Sequence, residues 1–238
     1  MSGRRPGSRV NEDAWLDWPD IGAWAVADGM GGHARGEQAS RMVIESLGRA
    51  LREGPNAAGG SGASEDRRSR ILAALTICNQ ALLDLGQGLD PPSIMGSTVA
   101  GLVIEGEVAR LFWVGDSRLY LLRDRALHQV TQDHARLVPW SDPARPDAPA
   151  RMRQVLTQAI GAQPRLDVAT AELRLEAQDR LLLCTDGFYK HLDDRAIAEH
   201  LNRPITRMAD ALWRDIARQG AADDTTFIVI ERYRLGRE

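Results

Sequence analysis

The chain has 238 residues, of which 43% are hydrophobic, and its formal net charge is −3 at neutral pH. This length and composition predict one domain, residues 1–238, with its own hydrophobic core. A nearly balanced charge without a basic tract argues against nucleic-acid binding. No apolar run reaches the roughly 18–20 residues of a membrane-spanning helix, and the N-terminal residues lack the apolar segment of a signal peptide.

Cysteine and lysine usage adds two further expectations. Cys78 and Cys184 are the two cysteines, and both lie in apolar runs, which is typical of reduced core residues in a cytoplasmic protein. Lys190 is the only lysine. Because it follows a tyrosine and not a glycine-rich loop, the chain has no phosphate-binding loop of the Walker type.

The first distinctive stretch runs from Ala23 to Glu37. Its apolar residues 24–27 predict a buried strand, which we expect to end at Asp28, and glycines 29, 31 and 32 follow. An Asp-Gly pair alone is typical of an ordinary turn. A carboxylate beside exposed backbone carbonyls is also what hard cations such as Mg²⁺ or Mn²⁺ prefer.

Further elements follow in chain order. A short N-terminal strand is expected over residues 9–16. Helical spacing of apolar residues predicts helices at 35–52 and 67–85, joined by a flexible loop at 54–64. A change to a period of two then predicts an antiparallel meander. Its strands and those that follow are at 98–104, 108–114, 118–122, 127–130, 166–175, 180–184 and 225–230, with helices at 196–201 and 205–218.

The segment from about 134 to 157 has a different character. Its first part, residues 134–149, carries four prolines and Trp140, which predicts an irregular, mobile flap. Elsewhere, strand runs bracketed by paired helices favour an α+β fold in which two sheets pack face to face with helices outside.

Four acids share one local pattern, because each stands at the tip of an apolar strand: Asp28, Asp116, Asp186 and Asp223. Such acids can be dispersed structural residues. If the tips converge, the carboxylates repel one another, and divalent cations are the usual means of keeping such a cluster ionised. The pattern therefore indicates a two-metal site in which Asp28 bridges, Gly29 lends its carbonyl, and Asp186 and Asp223 complete the set. A two-metal site of this kind activates a shared water for phosphoester hydrolysis.

These residues resemble the PP2C (PPM) family of metal-dependent serine/threonine protein phosphatases in its small bacterial form. The resemblance covers the chain from about residue 9 to its C-terminus. It rests on six blocks in family order: residues 26–33 with 36–40, residues 96–98, residues 114–118, residues 131–134, residues 184–187 and residues 223–226.

The resemblance implies a central antiparallel β-sandwich flanked by pairs of antiparallel helices, with two Mn²⁺ or Mg²⁺ ions in a cleft at one end. It assigns Asp116, together with Asp186, to a weaker third metal ion. Glu12 and Asp13 would reach the second metal largely through water. His33 would be the general acid, or alternatively a structural histidine that caps the turn.

One position departs from the family pattern. Ser8 stands where the family has its phosphate-binding arginine, so Arg9, one residue later, or Arg5 is expected to clamp the phosphate. The flap is also not the family's usual helical one, so substrate preference does not carry over.

The implied activity is hydrolysis of phosphoserine and phosphothreonine by direct attack of a metal-bridging water, without a phosphoenzyme. A noncatalytic relative that only binds phosphoproteins is the main alternative, and a phosphatase of small phosphoesters is another. A cysteine-based phosphatase is excluded because neither cysteine is followed six positions later by arginine. The expected partners are phosphorylated proteins and a cognate Ser/Thr kinase, and the protein is expected to be a monomer that binds neither membranes nor nucleic acid.

Overall fold

The computed structural model describes residues 1–4, 10–32, 34–52, 61–140, 151–220 and 223–232, with side chains from residue 67 onward in the helix that begins at 61. The strands are β1 (Ser2–Gly3), β2 (Asp13–Trp18), β3 (Ala23–Met30), β4 (Gly96–Ser97), β5 (Val99–Glu105), β6 (Val108–Val114), β7 (Arg118–Arg123), β8 (Ala126–Gln129), β9 (Ala135–Trp140), β10 (Arg151–Leu156), β11 (Ala169–Arg174), β12 (Arg180–Cys184) and β13 (Thr225–Glu231). The helices are α1 (Ala34–Arg52), α2 (Ser61–Gln87), α3 (Asp186–Tyr189), α4 (Asp194–Leu201) and α5 (Ile205–Arg218), and a short 3₁₀ turn spans Pro19–Ile21.

Two antiparallel sheets form the centre of the molecule. One has the order β11-β6-β5-β3-β2, with β4 paired to β3, and the other has the order β1-β13-β12-β7-β8. The tight connections are set by local sequence. For example, Asp124 and Arg125 between β7 and β8 both have positive φ, 51° and 66°, which is the backbone of a two-residue hairpin turn whose twist matches the strands.

Three buried clusters show how the layers stack. One lies between the first sheet and helices α1 and α2, and includes Val43, Leu75 and Val103. The second lies between the two sheets around Leu102 and Leu183. The third lies between the second sheet and helices α4 and α5. The expected α+β sandwich with helices on both outer faces is therefore confirmed.

Local differences from the sequence expectations are informative. Helix α2 begins at Ser61, so residues 61–64 belong to a helix and not to the predicted loop. β3 continues through Met30, because Gly29 and Met30 pair with β4, and Asp28 therefore lies within a strand. Within the segment expected to be an irregular flap, residues 135–140 instead form strand β9, which pairs with β10 from Trp140↔Arg151 to Ala135↔Leu156. Residues 141–149 of that segment lie outside the described residues. Pro139 is tolerated here because both strands of a two-stranded ribbon are edge strands, where a missing backbone N–H need not break a ladder.

Among the described residues, no helix is long and apolar enough to cross a membrane.

Candidate metal centre

Asp28 is held by hydrogen bonds on its backbone. Its N–H donates to Thr98 Oγ1 at 3.0 Å, and its carbonyl accepts from the Thr98 N–H at 2.8 Å. Asp28 also lies directly opposite Asp13 in the β2–β3 register. The strand pairing therefore places the Cα atoms of these two acidic residues side by side.

Two glycines allow an unusually close approach between β3 and the first turn of α1. A Cβ at Gly29 would lie 1.9 Å from the carbonyl oxygen of Gly36, and a Cβ at Gly36 would lie 2.1 Å from Glu12 Oε2 and 2.8 Å from the carbonyl oxygen of Gly29. No larger residue fits at either position. The glycines thus bring the Glu12 carboxylate and the Gly29 carbonyl to the same point, which is an all-oxygen environment.

Asp186 opens the single turn of α3, directly after the buried strand β12. Gly187 lets this turn pack against the start of β13, since a Cβ there would lie 2.0 Å from the carbonyl oxygen of Asp224. Thr225 Oγ1 donates to the Gly187 carbonyl at 3.1 Å. These contacts bring Asp186 to the segment that carries Asp223.

Asp116 occupies the turn between β6 and β7. Its backbone carbonyl accepts a hydrogen bond from Tyr189 Oη at 3.0 Å, and its Oδ2 accepts one from Gln154 Nε2 at 3.3 Å. The first contact ties the turn to α3. The second ties it to the β9–β10 hairpin, so the hairpin forms part of the wall around the acids.

One open cavity of about 630 Å³ collects these residues. Glu12, Asp28, Gly29, Asp116, Asp186 and Asp223 all line it. Asp13 is the exception, because it lies behind the wall, where its Oδ2 accepts a hydrogen bond from Thr185 Oγ1 at 2.9 Å. The structure thus brings together the four acids whose strand-tip pattern the sequence shows.

Ionisation of the carboxyl groups in and beside the cavity is unfavourable in the absence of cations. Burial and the charges of Asp13, Asp186, Asp223 and Asp116 raise the pKa of Asp28 well above its ordinary value. Burial likewise raises the pKa of Asp116 to about 6, with a further contribution from Asp186. For Asp13, burial is again the largest cause and raises the pKa to about 7. A positive charge is needed for all of these groups to ionise together near neutral pH.

The donor atoms fit divalent cations. Oδ1 of Asp186 and Oδ1 of Asp13 are buried and accept no hydrogen bond within the described part of the protein, which is costly unless a cation or its water satisfies them. Across the same described residues, no three His, Cys, Asp or Glu side chains form a ready-made ligand cluster. The acids surround a space instead of meeting at a point, and the Gly29 carbonyl and waters are needed to complete a ligand set.

Several cavity residues were not singled out as site residues in the sequence. Lys190, Arg153 and Gln154 line the wall with the acids. Lys190 follows Asp186 by four residues, the spacing at which side chains meet on a helical turn, so a signal for it existed. The positions of Arg153 and Gln154 in the wall depend on the β9–β10 hairpin, which the proline content of this segment argued against. His33, Arg9, Arg5 and Ser8 lie outside the described residues, and the roles expected for them stay predictions.

Comparisons with known proteins agree with this architecture. Residues 3–223 match the family model described as "Protein phosphatase 2C". The chain is 32% identical over 217 residues to the serine/threonine protein phosphatase PstP of Mycobacterium tuberculosis, a match that covers 87% of this chain but 40% of that protein. The chain therefore spans less than half the length of this curated relative.

Two solved structures extend the comparison. PppA, described as a key regulatory component of T6SS in Pseudomonas aeruginosa, is 30% identical with a TM-score of 0.79, and the match covers 98% of this chain and 96% of that one. The catalytic domain of a PstP phosphatase in complex with two manganese ions is 29% identical with a TM-score of 0.74, covering 96% of this chain and 94% of that one.

The family model spans nearly the whole chain, and the relatives share both the fold and, at about 30% identity, the sequence. The two PstP proteins are named as serine/threonine phosphatases, which favours a catalytic protein over a noncatalytic binding protein. The chain belongs to the protein phosphatase 2C family.

Proposed function

We propose that this chain is a Mn²⁺- or Mg²⁺-dependent protein phosphatase that hydrolyses phosphoserine and phosphothreonine. The observation that carries the proposal is the convergence of Asp28, Asp116, Asp186 and Asp223, from four separate segments of the chain, on one cavity. The manganese in the PstP catalytic domain and the names of the relatives support the same chemistry.

The residues have distinct roles in this proposal. Asp28, the Gly29 carbonyl, Asp186 and Asp223 hold two divalent cations, and Glu12 reaches them through water. When bound, the cations supply positive charge for the phosphoryl oxygens and lower the pKa of the attacking water. Asp13 acts from behind the wall, where Thr185 orients its carboxylate and its charge strengthens the negative field at Asp28.

His33 and Arg9 complete the proposed mechanism from outside the described residues. His33 protonates the leaving alkoxide, and Arg9, or Arg5 in its place, holds two phosphate oxygens with its guanidinium. A His33→Ala variant is expected to lose more rate on substrates with poor leaving groups than on p-nitrophenyl phosphate. Equal losses on both would instead assign His33 a structural role.

The natural setting is part of the same proposal. The substrates are phosphorylated proteins of a cognate Ser/Thr kinase, residues 1–238 act as one catalytic domain, and the enzyme works as a monomer in the cytoplasm. The two free and buried cysteines, Cys78 and Cys184, are in keeping with a reducing compartment.

The direct experiment is hydrolysis of a phosphothreonine peptide by metal-stripped protein, with and without added Mn²⁺. We expect activity that depends on Mn²⁺ and disappears with EDTA. A metal-stripped protein that stays fully active in EDTA would contradict the proposal. A parallel series of small phosphoesters tests the alternative substrate class, since a kcat/KM far higher than on the peptide would favour it.

A further inference from the structure

Lys190 is the chain's only lysine, and its ammonium forms an ion pair with Oδ2 of Asp186 inside the cavity. The Asp186 side chain is 13% exposed, whereas that of Lys190 is 48% exposed. The ammonium therefore lies between a buried carboxylate and the open cavity, where a bound phosphate would have access to it.

The backbone at Lys190 is fixed on the Asp116 side of the cavity. Its N–H donates to the Asp186 carbonyl at 3.0 Å, and the neighbouring Tyr189 donates from Oη to the Asp116 carbonyl at 3.0 Å. Arg118 stacks on the Tyr189 ring at 3.6 Å and is itself held by Asp133, with Nη2 2.8 Å from Oδ2. This chain of contacts anchors the lysine stem beside Asp116.

The charge of Lys190 acts on more than its direct partner. Lys190 lines the same cavity as Asp186, Asp116 and Asp223. The ammonium is a point charge with three hydrogen-bond donors, and it shares the cavity with these three acids. A metal ion bound between Asp116 and Asp186 would have to displace it or bear its repulsion.

We propose that the Lys190 ammonium takes the place of the third metal ion on the Asp116–Asp186 side of the cavity. The protein then binds two divalent cations, and Lys190 supplies the remaining positive charge to the substrate phosphate. This inference rests on the proposed function for the role toward phosphate, but its statement about metal stoichiometry is independent of activity.

The test is a titration of metal-stripped protein with Mn²⁺, in which the electron paramagnetic resonance signal of the free ion measures how many ions are bound. Lys190→Met keeps the length of the side chain and removes its charge. Arg195→Met is the matched control, because Arg195 is an exposed helical residue paired with Glu199 at 3.1 Å and does not line the cavity. Lys190→Arg restores the charge.

Wild type, Arg195→Met and Lys190→Arg are expected to bind two Mn²⁺, and Lys190→Met to bind an additional, weaker ion. Lys190→Met is also expected to lose about tenfold in kcat at low Mn²⁺, with recovery at millimolar Mn²⁺. A wild type that binds three ions, or a Lys190→Met variant that binds no additional ion up to millimolar Mn²⁺, overturns the proposal. If wild type binds metal but hydrolyses no phosphopeptide, the proposed function fails while the stoichiometry still decides the role of Lys190.

Discussion

The two ends of strands β7 and β12 carry buried acids in opposite electrostatic states. At one end, the cavity wall holds five carboxylates, namely Glu12, Asp28, Asp116, Asp186 and Asp223, against two basic side chains, Arg153 and Lys190. At the other end, a second cavity is lined by four acids, Asp124, Glu176, Asp179 and Glu231, and by four arginines, Arg123, Arg125, Arg180 and Arg232.

Asp179 shows what the balanced end achieves. Its carboxylate is 2% exposed, and burial alone would raise its pKa. Arg123 reaches both of its oxygens, at 2.9 and 2.7 Å, and the Glu176 N–H adds a third hydrogen bond at 2.7 Å, so the net effect is a lowered pKa. At the cavity end, burial acts in the same direction but the neighbours are acids, and the pKa of Asp28 is raised.

The difference separates structure from function. The protein neutralises one cluster of acids with its own arginines, so that cluster contributes to stability. It leaves the other cluster short of positive charge, because Lys190 and Arg153 alone face five carboxylates there, and cations from solution are needed to complete it. A residue at the Asp179 end should thus affect folding when changed, and a residue at the Asp28 end should affect catalysis.

The largest expected effect is on catalysis. Asp28→Ala or Asp186→Ala should reduce Mn²⁺-dependent hydrolysis of p-nitrophenyl phosphate by on the order of a thousandfold or more, because each removes a proposed metal ligand. The metal-free variants should fold as the wild type does by circular dichroism, since repulsion among the acids is relieved. Full activity in either variant would reject the metal assignment.

The corresponding change at the arginine-rich end should affect stability instead. Asp179→Ala leaves Arg123 without its buried partner and is expected to lower the free energy of unfolding by about 2–4 kcal/mol, measured by urea denaturation. The kcat per folded molecule should be unchanged. Loss of kcat without loss of stability would contradict the division between the two ends.

The pH dependence of stability provides a further test of the charge imbalance at the metal cavity. Because the pKa values of Asp13 and Asp116 are raised to about 7 and about 6 in the folded state, the unfolded chain gives up these protons first as pH rises. The metal-free protein should therefore lose stability between about pH 4 and pH 7, by an amount on the order of a few kcal/mol.

Saturating Mn²⁺ should reduce or reverse that loss, since ionised ligands bind the metal. Thermal unfolding temperatures measured at several pH values, with Mn²⁺ and with EDTA, test this directly. A metal-free protein that becomes more stable from pH 4 to pH 7 would show that the cavity acids are already compensated by the protein.

The smallest expected effect concerns the hairpin. Gln154→Ala removes one long hydrogen bond, 3.3 Å, between β10 and Asp116, which is worth about 1 kcal/mol at most. We expect a change of about twofold to fivefold in KM for a phosphopeptide and little change for p-nitrophenyl phosphate. Equal changes for both substrates would argue that the hairpin acts on the metal centre and not on the peptide.

The layered fold could be predicted from the sequence because helical and strand periodicities are local signals. Apolar runs that end in an acid locate the strands to within about two residues, since Asp186 follows β12 and Asp28 lies two residues before the end of β3. The 3.6-residue spacing places α1 within one residue of its observed start. The convergence of Asp28 and Asp186 could be inferred only because several tips shared one pattern. Their joint placement depends on strand order, which no local signal contains.

Other features could not be predicted from local sequence patterns, because they depend on contacts between distant segments. The β9–β10 pairing joins residues on either side of a proline-rich segment, so it is decided by cross-strand contacts and not by propensity. The electrostatic role of Lys190 depends on the turn of α3 and on the contact of Tyr189 with Asp116. The roles of His33 and Arg9 rest on the family pattern alone.

The most direct test is a crystal of the wild-type protein soaked in Mn²⁺ and measured at the manganese absorption edge. We expect two anomalous peaks within the cavity, bordered by Asp28, the Gly29 carbonyl, Asp186 and Asp223. An empty cavity at saturating Mn²⁺, or peaks only elsewhere on the molecule, would contradict it.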